Sequence, residues 1–155
     1  MGRRGARRHG DGLNVIGLDT NVLLRWVVDD PLIATQNDRQ RALAIDLIEN
    51  SGERFFINQI VLAETIWVLR RKVKHENAVI AGLVERLLQM SDVVVQHATS
   101  VAAAVQVFRS SPGDFADHLI GTVNAAEGCR TTWTFDQAAS RSPPCSLLDD
   151  SVSKP

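Results

Sequence analysis

Apolar residues in this chain form short continuous runs that alternate with longer stretches of helical spacing. The short runs predict buried strands at residues 15–18, 55–57, 93–95 and 130–135, and residues 146–148 fit an edge strand. The first run ends abruptly in Asp19, Thr20 and Asn21. Polar side chains are therefore expected at the carboxyl end of the first strand.

Six stretches between these runs carry apolar residues at the three- and four-residue spacing of helices. Predicted helices span residues 21–28, 34–49, 59–74, 76–90, 99–109 and 115–127. Strands that alternate with helices favour an α/β fold, in which a parallel sheet has helices on both faces. In such folds, functional sites form beyond the carboxyl ends of the strands.

The length and charge of the chain suggest one domain with a basic leader. The chain has 155 residues, of which 45% are hydrophobic, and this size fits a single core. We place the domain at residues 14–150 and predict a disordered leader at residues 1–13 that contains four arginines. The leader fits a nucleic-acid-binding arm, but an expression remnant or an upstream start codon is the preferred explanation. Without it the chain is acidic, so binding a polyanion would need cations and a local basic strip.

Membrane proteins, secreted proteins and zinc proteins are disfavoured by the sequence. No apolar run approaches the roughly 20 residues that cross a bilayer, and no secretory apolar segment precedes residue 13. We therefore expect a cytoplasmic protein. Cys129 and Cys145 form no CxxC pair, and the histidines are scattered. Buried free thiols are expected, and His118 is expected on a helix surface or in the core.

Four acidic residues, Asp19, Glu64, Asp117 and Asp136, stand among apolar neighbours. Nearly every other residue from 60 to 69 is apolar, so we expect the Glu64 carboxylate to be at least partly buried. No Lys or Arg lies within four residues of any of these acids, and an unpaired buried carboxylate is costly. Convergent carboxylates suit one or two Mg²⁺ or Mn²⁺ ions, because hard cations take oxygen ligands. The sequence therefore predicts a metal site made by these four acids.

Each acid also has a structural interpretation. Asp19 and Asp136 could be helix N-caps, and Glu64 could pair with a distant arginine. Asp114 directly precedes the sixth predicted helix, which places Asp117 in its first turn. We assign Asp117 as the ligand and Asp114 as a cap that can also reach a metal-bound water. The opposite assignment, with Asp114 as the ligand, stays open.

Polar and basic residues complete the candidate site. Thr20, Asn21 and Thr134 are candidates for hydrogen bonds that fix the rotamers of the carboxylates. A basic run at a helix end is more often simply solvated, but it can also contact a phosphate backbone. The candidates for contact with a phosphate backbone are Arg25, Arg70 and Arg71, with Lys72 and Lys74 in the same basic run.

Four short motifs occur in a defined order between residues 16 and 148. Residues 17–23 contain a strand end with Asp19, and residues 62–64 contain the helical Glu64. Residues 114–120 carry an Asp on a helix, and in residues 132–136 a hydroxyl residue precedes the acid by two positions. This order resembles the PIN-domain nucleases, and specifically the VapC-type toxins of bacterial toxin–antitoxin pairs. The helix-borne Asp of the third motif aligns with Asp117.

The resemblance implies a three-layer α/β/α sandwich with a mainly parallel sheet, Mg²⁺ or Mn²⁺ in an acidic pocket, and cleavage of RNA. It also implies a homodimer that a small cognate antitoxin inhibits. Residues 1–13 and the long interval between Asp19 and Glu64 depart from the family pattern. One rival is a phosphotransfer enzyme of the haloacid-dehalogenase type with Asp19 as nucleophile, although Asn21 stands where that family has a second Asp. The other rival is a non-catalytic binding module with the same fold.

Overall fold

The structure, a computed structural model, describes residues 14–29 and 38–151. The predicted leader at residues 1–13 and the first part of the second predicted helix lie outside the described residues. Each of the five predicted strands and six predicted helices has a counterpart in the described part of the chain. The α/β fold class is thus confirmed.

The strands lie in two groups, and both groups are parallel. β1 (Ile16–Gly17), β2 (Phe55–Ile57) and β3 (Val93–Val95) form one sheet in that order. β4 (Thr132–Thr134) and β5 (Cys145–Leu147) form a separate pair. Because all ladders are parallel, the carboxyl ends of neighbouring strands lie at the same edge of each sheet.

The helices connect these strands and match the predicted periodicity. They are α1 (Thr20–Val27), α2 (Asp38–Asn50), α3 (Gln59–Arg71), α4 (Asn77–Gln89), α5 (Ala98–Ser110) and α6 (Phe115–Ala126). A short 3₁₀ turn at Ala139–Arg141 follows β4. The largest difference from prediction in the described residues is at the end of α3, which ends at Arg71 and not at Lys74. Lys74 adopts a φ of 65° that no α-helix contains.

Two helices begin where two strands end. α3 starts directly after β2 because Asn58 caps it, with Oδ1 accepting a hydrogen bond from the backbone N–H of Val61 at 2.9 Å. α1 starts just after β1, with Asp19 in the N-cap position. β1 and β2 are parallel neighbours, so the first turns of α1 and α3 lie at the same edge of the sheet. This arrangement brings Thr20 to Glu64, 44 residues apart in the chain.

The core lies between the sheet and the inner faces of the helices. Phe55 and Ile57 of β2 are completely buried, as are Leu62 and Leu69 of α3. The β4–β5 pair is packed less deeply, since none of its residues is fully buried. No helix in the described ranges is long and apolar enough to cross a membrane.

Candidate active site

Asp19, Thr20 and Glu64 meet at the carboxyl end of β1. The backbone carbonyl of Asp19 accepts hydrogen bonds from Val22 and Leu23 at 3.1 and 3.0 Å, but its side chain makes no capping hydrogen bond. The hydroxyl of Thr20 donates to Oε2 of Glu64 at 2.6 Å. The Asp19 carboxylate is thus not used in capping α1, and one oxygen of Glu64 is held by a neutral donor.

These residues line an open cleft of about 580 Å³. Asn21 and Trp67 also line the cleft, and none of its lining residues is Lys or Arg. Across residues 14–29 and 38–151, no ion pair involves any of the four predicted acids. The two carboxylates in the cleft therefore lack a protein cation that balances their charge.

The expectation that Glu64 is at least partly buried is wrong. Glu64 is exposed, on a stripe of α3 that also exposes Ile60, Trp67 and Arg71. The helical period turns Leu62, Thr65, Ile66 and Leu69 towards the core and leaves this stripe in solvent. The apolar neighbours of Glu64 misled the prediction because Ile60 and Trp67 are themselves 68% and 51% exposed.

Asp117 lies in the first turn of α6, as predicted, and is half-buried. Burial, and then the charge of Asp117, raise the pKa of the Cys145 thiol in β5. α6 approaches β5 closely enough that a Cβ on Gly121 would lie 2.9 Å from the Cys145 sulfur. Asp117 is thus on the side of α6 that packs against the β4–β5 pair.

Asp114 occupies the predicted N-cap position of α6, but its side chain makes no capping hydrogen bond. Instead, its carboxylate pairs with Arg71 at 3.3 Å and with Arg70 at 3.9 Å. The Arg70 guanidinium also lies 5.7 Å from the ring centroid of Phe108. Two of the predicted RNA-contact residues are thus anchored to the protein, and Asp114 offsets part of their charge.

The side chain of Asp136 accepts a backbone hydrogen bond in the turn after β4, in the manner of the cap that its structural interpretation proposed, although Ala138 and not Asp136 is the N-cap of the 3₁₀ turn. Its Oδ1 accepts a hydrogen bond from the backbone N–H of Ala139 at 2.9 Å, at the start of the 3₁₀ turn. Thr134 accepts a hydrogen bond from the backbone N–H of Asp136 at 3.0 Å, so this hydroxyl fixes the backbone of the acid rather than its carboxylate. The carboxylate of Asp136 is exposed and keeps a second oxygen for another partner.

Other predicted residues take different positions. Arg25 donates to the backbone carbonyl of Asn21 at 3.1 Å and lines a groove between α1 and α2, outside the acidic cleft. The expectation of buried thiols is wrong, because Cys129 is exposed and Cys145 only half-buried. Both are free.

His118 is a core residue and belongs to the surroundings of the site. It is 5% exposed, and its Nε2 has no hydrogen-bond partner among the described residues. Burial lowers the pKa of His118, even though a hydrogen bond with the Pro112 backbone and the charges of Asp117 and Asp114 act to raise it. The sequence indicated that His118 was next to a candidate ligand but not that it was buried.

The donor chemistry of the cleft fits a hard divalent cation. Two carboxylates, an amide and a hydroxyl line it, and Mg²⁺ is commonly bound by one or two carboxylates with waters in the other positions. In the parts of the chain that the structure describes, no group of three or more His, Cys, Asp or Glu side chains is arranged to hold a metal ion. The geometry thus places two carboxylates in one cleft, and the convergence of all four acids stays a prediction.

Comparison with known families bears on the activity. The model of the PIN domain matches residues 16–142. This chain belongs to the PIN-domain family. The matched region contains β1, the cleft, α6 and Asp136. PIN domains are in general nucleases, so a nuclease-type function, with RNA as the bound nucleic acid, follows for the chain. A search of the curated proteins found no match.

Proposed function

We propose that this PIN domain is a ribonuclease that depends on Mg²⁺ or Mn²⁺ and cleaves phosphodiester bonds in RNA. The observation that carries the proposal is the cleft in which Thr20 holds Glu64 beside Asp19, without a basic residue in its lining. Carboxylates left without a protein cation in a cleft are the arrangement expected of a site that binds a cation from solution. Membership of the PIN family favours this function over a phosphotransfer enzyme.

Asp19 and Glu64 would hold one cation, with Asp117 and Asp136 as further ligands of that ion or of a second one. When bound, the cation lowers the pKa of water and stabilises charge on the phosphate. Thr20 keeps Oε2 of Glu64 in place, which leaves Oε1 for the ligand position. Asp114 orients Arg70 and Arg71, which face an adjacent small cavity where an RNA backbone can approach.

The test measures cleavage of single-stranded RNA in Mg²⁺, in Mn²⁺ and in EDTA. We expect cleavage only with a divalent cation, and loss of cleavage in Asp19→Asn and in Asp117→Asn, because an amide removes the ligand charge with little change in volume. Asp150→Asn is the matched control, since Asp150 is exposed and outside the cleft. Unchanged cleavage in either folded site variant would overturn the assignment of that residue.

A second readout does not depend on activity. A cation that binds only the folded form adds about 2.7 kcal/mol to the free energy of unfolding when its concentration is a hundred times its Kd. Mn²⁺ should therefore raise the melting temperature of the wild type and of Asp150→Asn, and should raise that of Asp19→Asn less. Equal shifts in all three proteins would contradict metal binding by Asp19. Metal binding without cleavage would indicate a non-catalytic binding module.

We further propose that the chain is the toxin of a toxin–antitoxin pair and that it is a homodimer. The resemblance to VapC-type toxins suggests both, and two exposed apolar grooves support them. One groove, of about 390 Å³ between α3 and α6, includes Ile60 and Ile120 and suits a second copy of the chain. The other, of about 530 Å³ between α1 and α2, includes Leu43 and Leu47 and suits an amphipathic antitoxin helix. Growth arrest on expression, relieved by a small protein encoded beside it, is the expected result for the toxin role.

A further inference from the structure

Trp67 is a large aromatic side chain that is half in solvent and beside the acidic cleft. It is 51% exposed and lies three residues after Glu64, on the same stripe of α3. It lines the cleft that contains Asp19 and Glu64. It also lines the adjacent cavity of about 60 Å³, whose other lining residues include Arg70 and Arg71. The indole thus stands between the carboxylates and the arginines.

Basic side chains lie near Trp67. The ammonium of Lys72 lies 5.7 Å from the centroid of the indole ring, within cation–π distance. Arg70 and Arg71 share the single charge of Asp114, so this corner of the molecule keeps a net positive charge. The surface therefore changes from acidic to aromatic to basic along one helix. Such a sequence of chemistries matches a nucleoside within a strand, whose sugar has a phosphate on each side and carries a flat base.

We propose that Trp67 forms a base-stacking subsite for RNA. One phosphodiester lies at the acidic cleft, where a divalent cation held by Asp19 and Glu64 would offset its charge. The adjoining unpaired base stacks on the indole, and the next phosphate reaches Arg71 and Lys72. Every base offers a π-face, so the subsite selects an unpaired nucleotide and not a particular base. This inference rests on the proposed ribonuclease function, because that function places a phosphodiester at the acidic cleft.

The test measures binding of a fluorescein-labelled single-stranded RNA by anisotropy, in the full chain with Asp19→Asn as a non-cleaving background. Stacking on an aromatic side chain contributes about 1–3 kcal/mol per base, so Trp67→Ala should weaken binding by roughly 5- to 150-fold. Trp67→Phe should retain most of the affinity because it keeps an aromatic face. Trp67→Leu should bind as weakly as Trp67→Ala, since it keeps apolar area but not the π-face.

Trp133→Ala is the matched control, because Trp133 is 48% exposed and lies on β4, outside the cleft. It should bind RNA like the background protein. A second control is an abasic strand of the same length, which should bind all variants equally. Equal losses in Trp67→Ala and Trp133→Ala, full affinity in Trp67→Leu, or the same loss with the abasic strand would each overturn the subsite.

Two further results keep this inference separate from the proposed function. If the wild type cleaves RNA in Mn²⁺ and the Trp67 variants bind and cleave equally well, only the stacking subsite is wrong. If the wild type neither cleaves RNA nor binds a divalent cation, the ribonuclease proposal fails, and the stacking subsite fails with it. Light scattering on Trp67→Ala completes the test, because a change in subunit number would assign Trp67 to a subunit contact instead.

Discussion

Thr20 makes the contact on which the orientation of Glu64 depends. Its hydroxyl donates to Oε2 of Glu64 at 2.6 Å. Thr20→Val keeps the shape of the side chain and removes the donor. Since loss of a group that orients a metal ligand typically costs about 10- to 100-fold in metal affinity or activity, we expect a fall of that size in kcat/KM at limiting Mn²⁺. Excess Mn²⁺ should recover part of the loss.

Thr20→Ser is the control for this prediction, because serine keeps the hydroxyl. It should cleave RNA nearly as well as the wild type, and both variants should melt close to the wild type. A Thr20→Val protein that cleaves normally at limiting Mn²⁺ would show that the hydrogen bond does not position Glu64. Equal defects in the valine and serine variants would point to packing instead.

The sequence shows which candidate residues of the site are acidic and which hydroxyl lies beside Asp19. It does not show which partners these side chains bind or how exposed they are. The Asp114 carboxylate pairs with Arg71, 43 residues away, and such a pairing depends on how α3 and α6 meet. The exposure of Glu64 was missed for a related reason. An apolar sequence around an acid indicates burial only if those apolar residues face the core, and Ile60 and Trp67 do not.

At the scale of elements, Gly113 lies where two acid-bearing segments meet. It has a φ of +102°, and a Cβ built on it would lie 3.3 Å from Nε2 of His118 and 3.7 Å from Cα of Ala139. His118 follows Asp117 on α6, and the backbone N–H of Ala139 donates to Asp136. The absence of a side chain at Gly113 therefore allows the start of α6 to approach the turn capped by Asp136.

Gly113→Ala should lower both the melting temperature and RNA cleavage. The substitution places a side chain at a positive φ, which costs about 1–2 kcal/mol, and also crowds the His118 ring. Gly128→Ala is the matched control, because Gly128 has a φ of +88° and a Cβ added there would meet nothing within 4 Å. We expect the control to lose less stability and to keep its cleavage rate. Equal melting shifts and equal cleavage in the two variants would contradict a role for the contact.

The elements themselves were largely predictable from periodicity. Helical spacing located all six helices, and runs of β-branched or aromatic residues located the strands. The division of the strands into two groups was not predictable, because pairing depends on contacts between distant segments. The cap formed by Asp136 was one of two open interpretations, and the sequence could not choose between them.

For the whole molecule, the exposed apolar face between α3 and α6 leads to a prediction about assembly. Ile120 is 52% exposed and lines this face together with Ile60. If the face forms the homodimer, Ile120→Glu should give a monomer by light scattering, because a charge buried in an apolar interface without a partner is costly. Val79→Glu is the control, since Val79 is 54% exposed on α4, away from the groove. A wild-type monomer, or a dimer that persists in Ile120→Glu, would exclude this interface.

The separate β4–β5 pair has a consequence for how the molecule responds to heat. Asp19 and Glu64 are attached to the sheet with the completely buried Phe55 and Ile57, whereas Asp136 lies between the two strands of a pair that has no fully buried residue. Segments with few buried apolar contacts open locally at a lower free energy than the global transition. Amide exchange should therefore be faster in β4 and β5 than in β2 and β3. On warming, we expect the segment that carries Asp136 to loosen first, and if Asp136 is a ligand of the site, RNA cleavage should be lost at a lower temperature than the global transition.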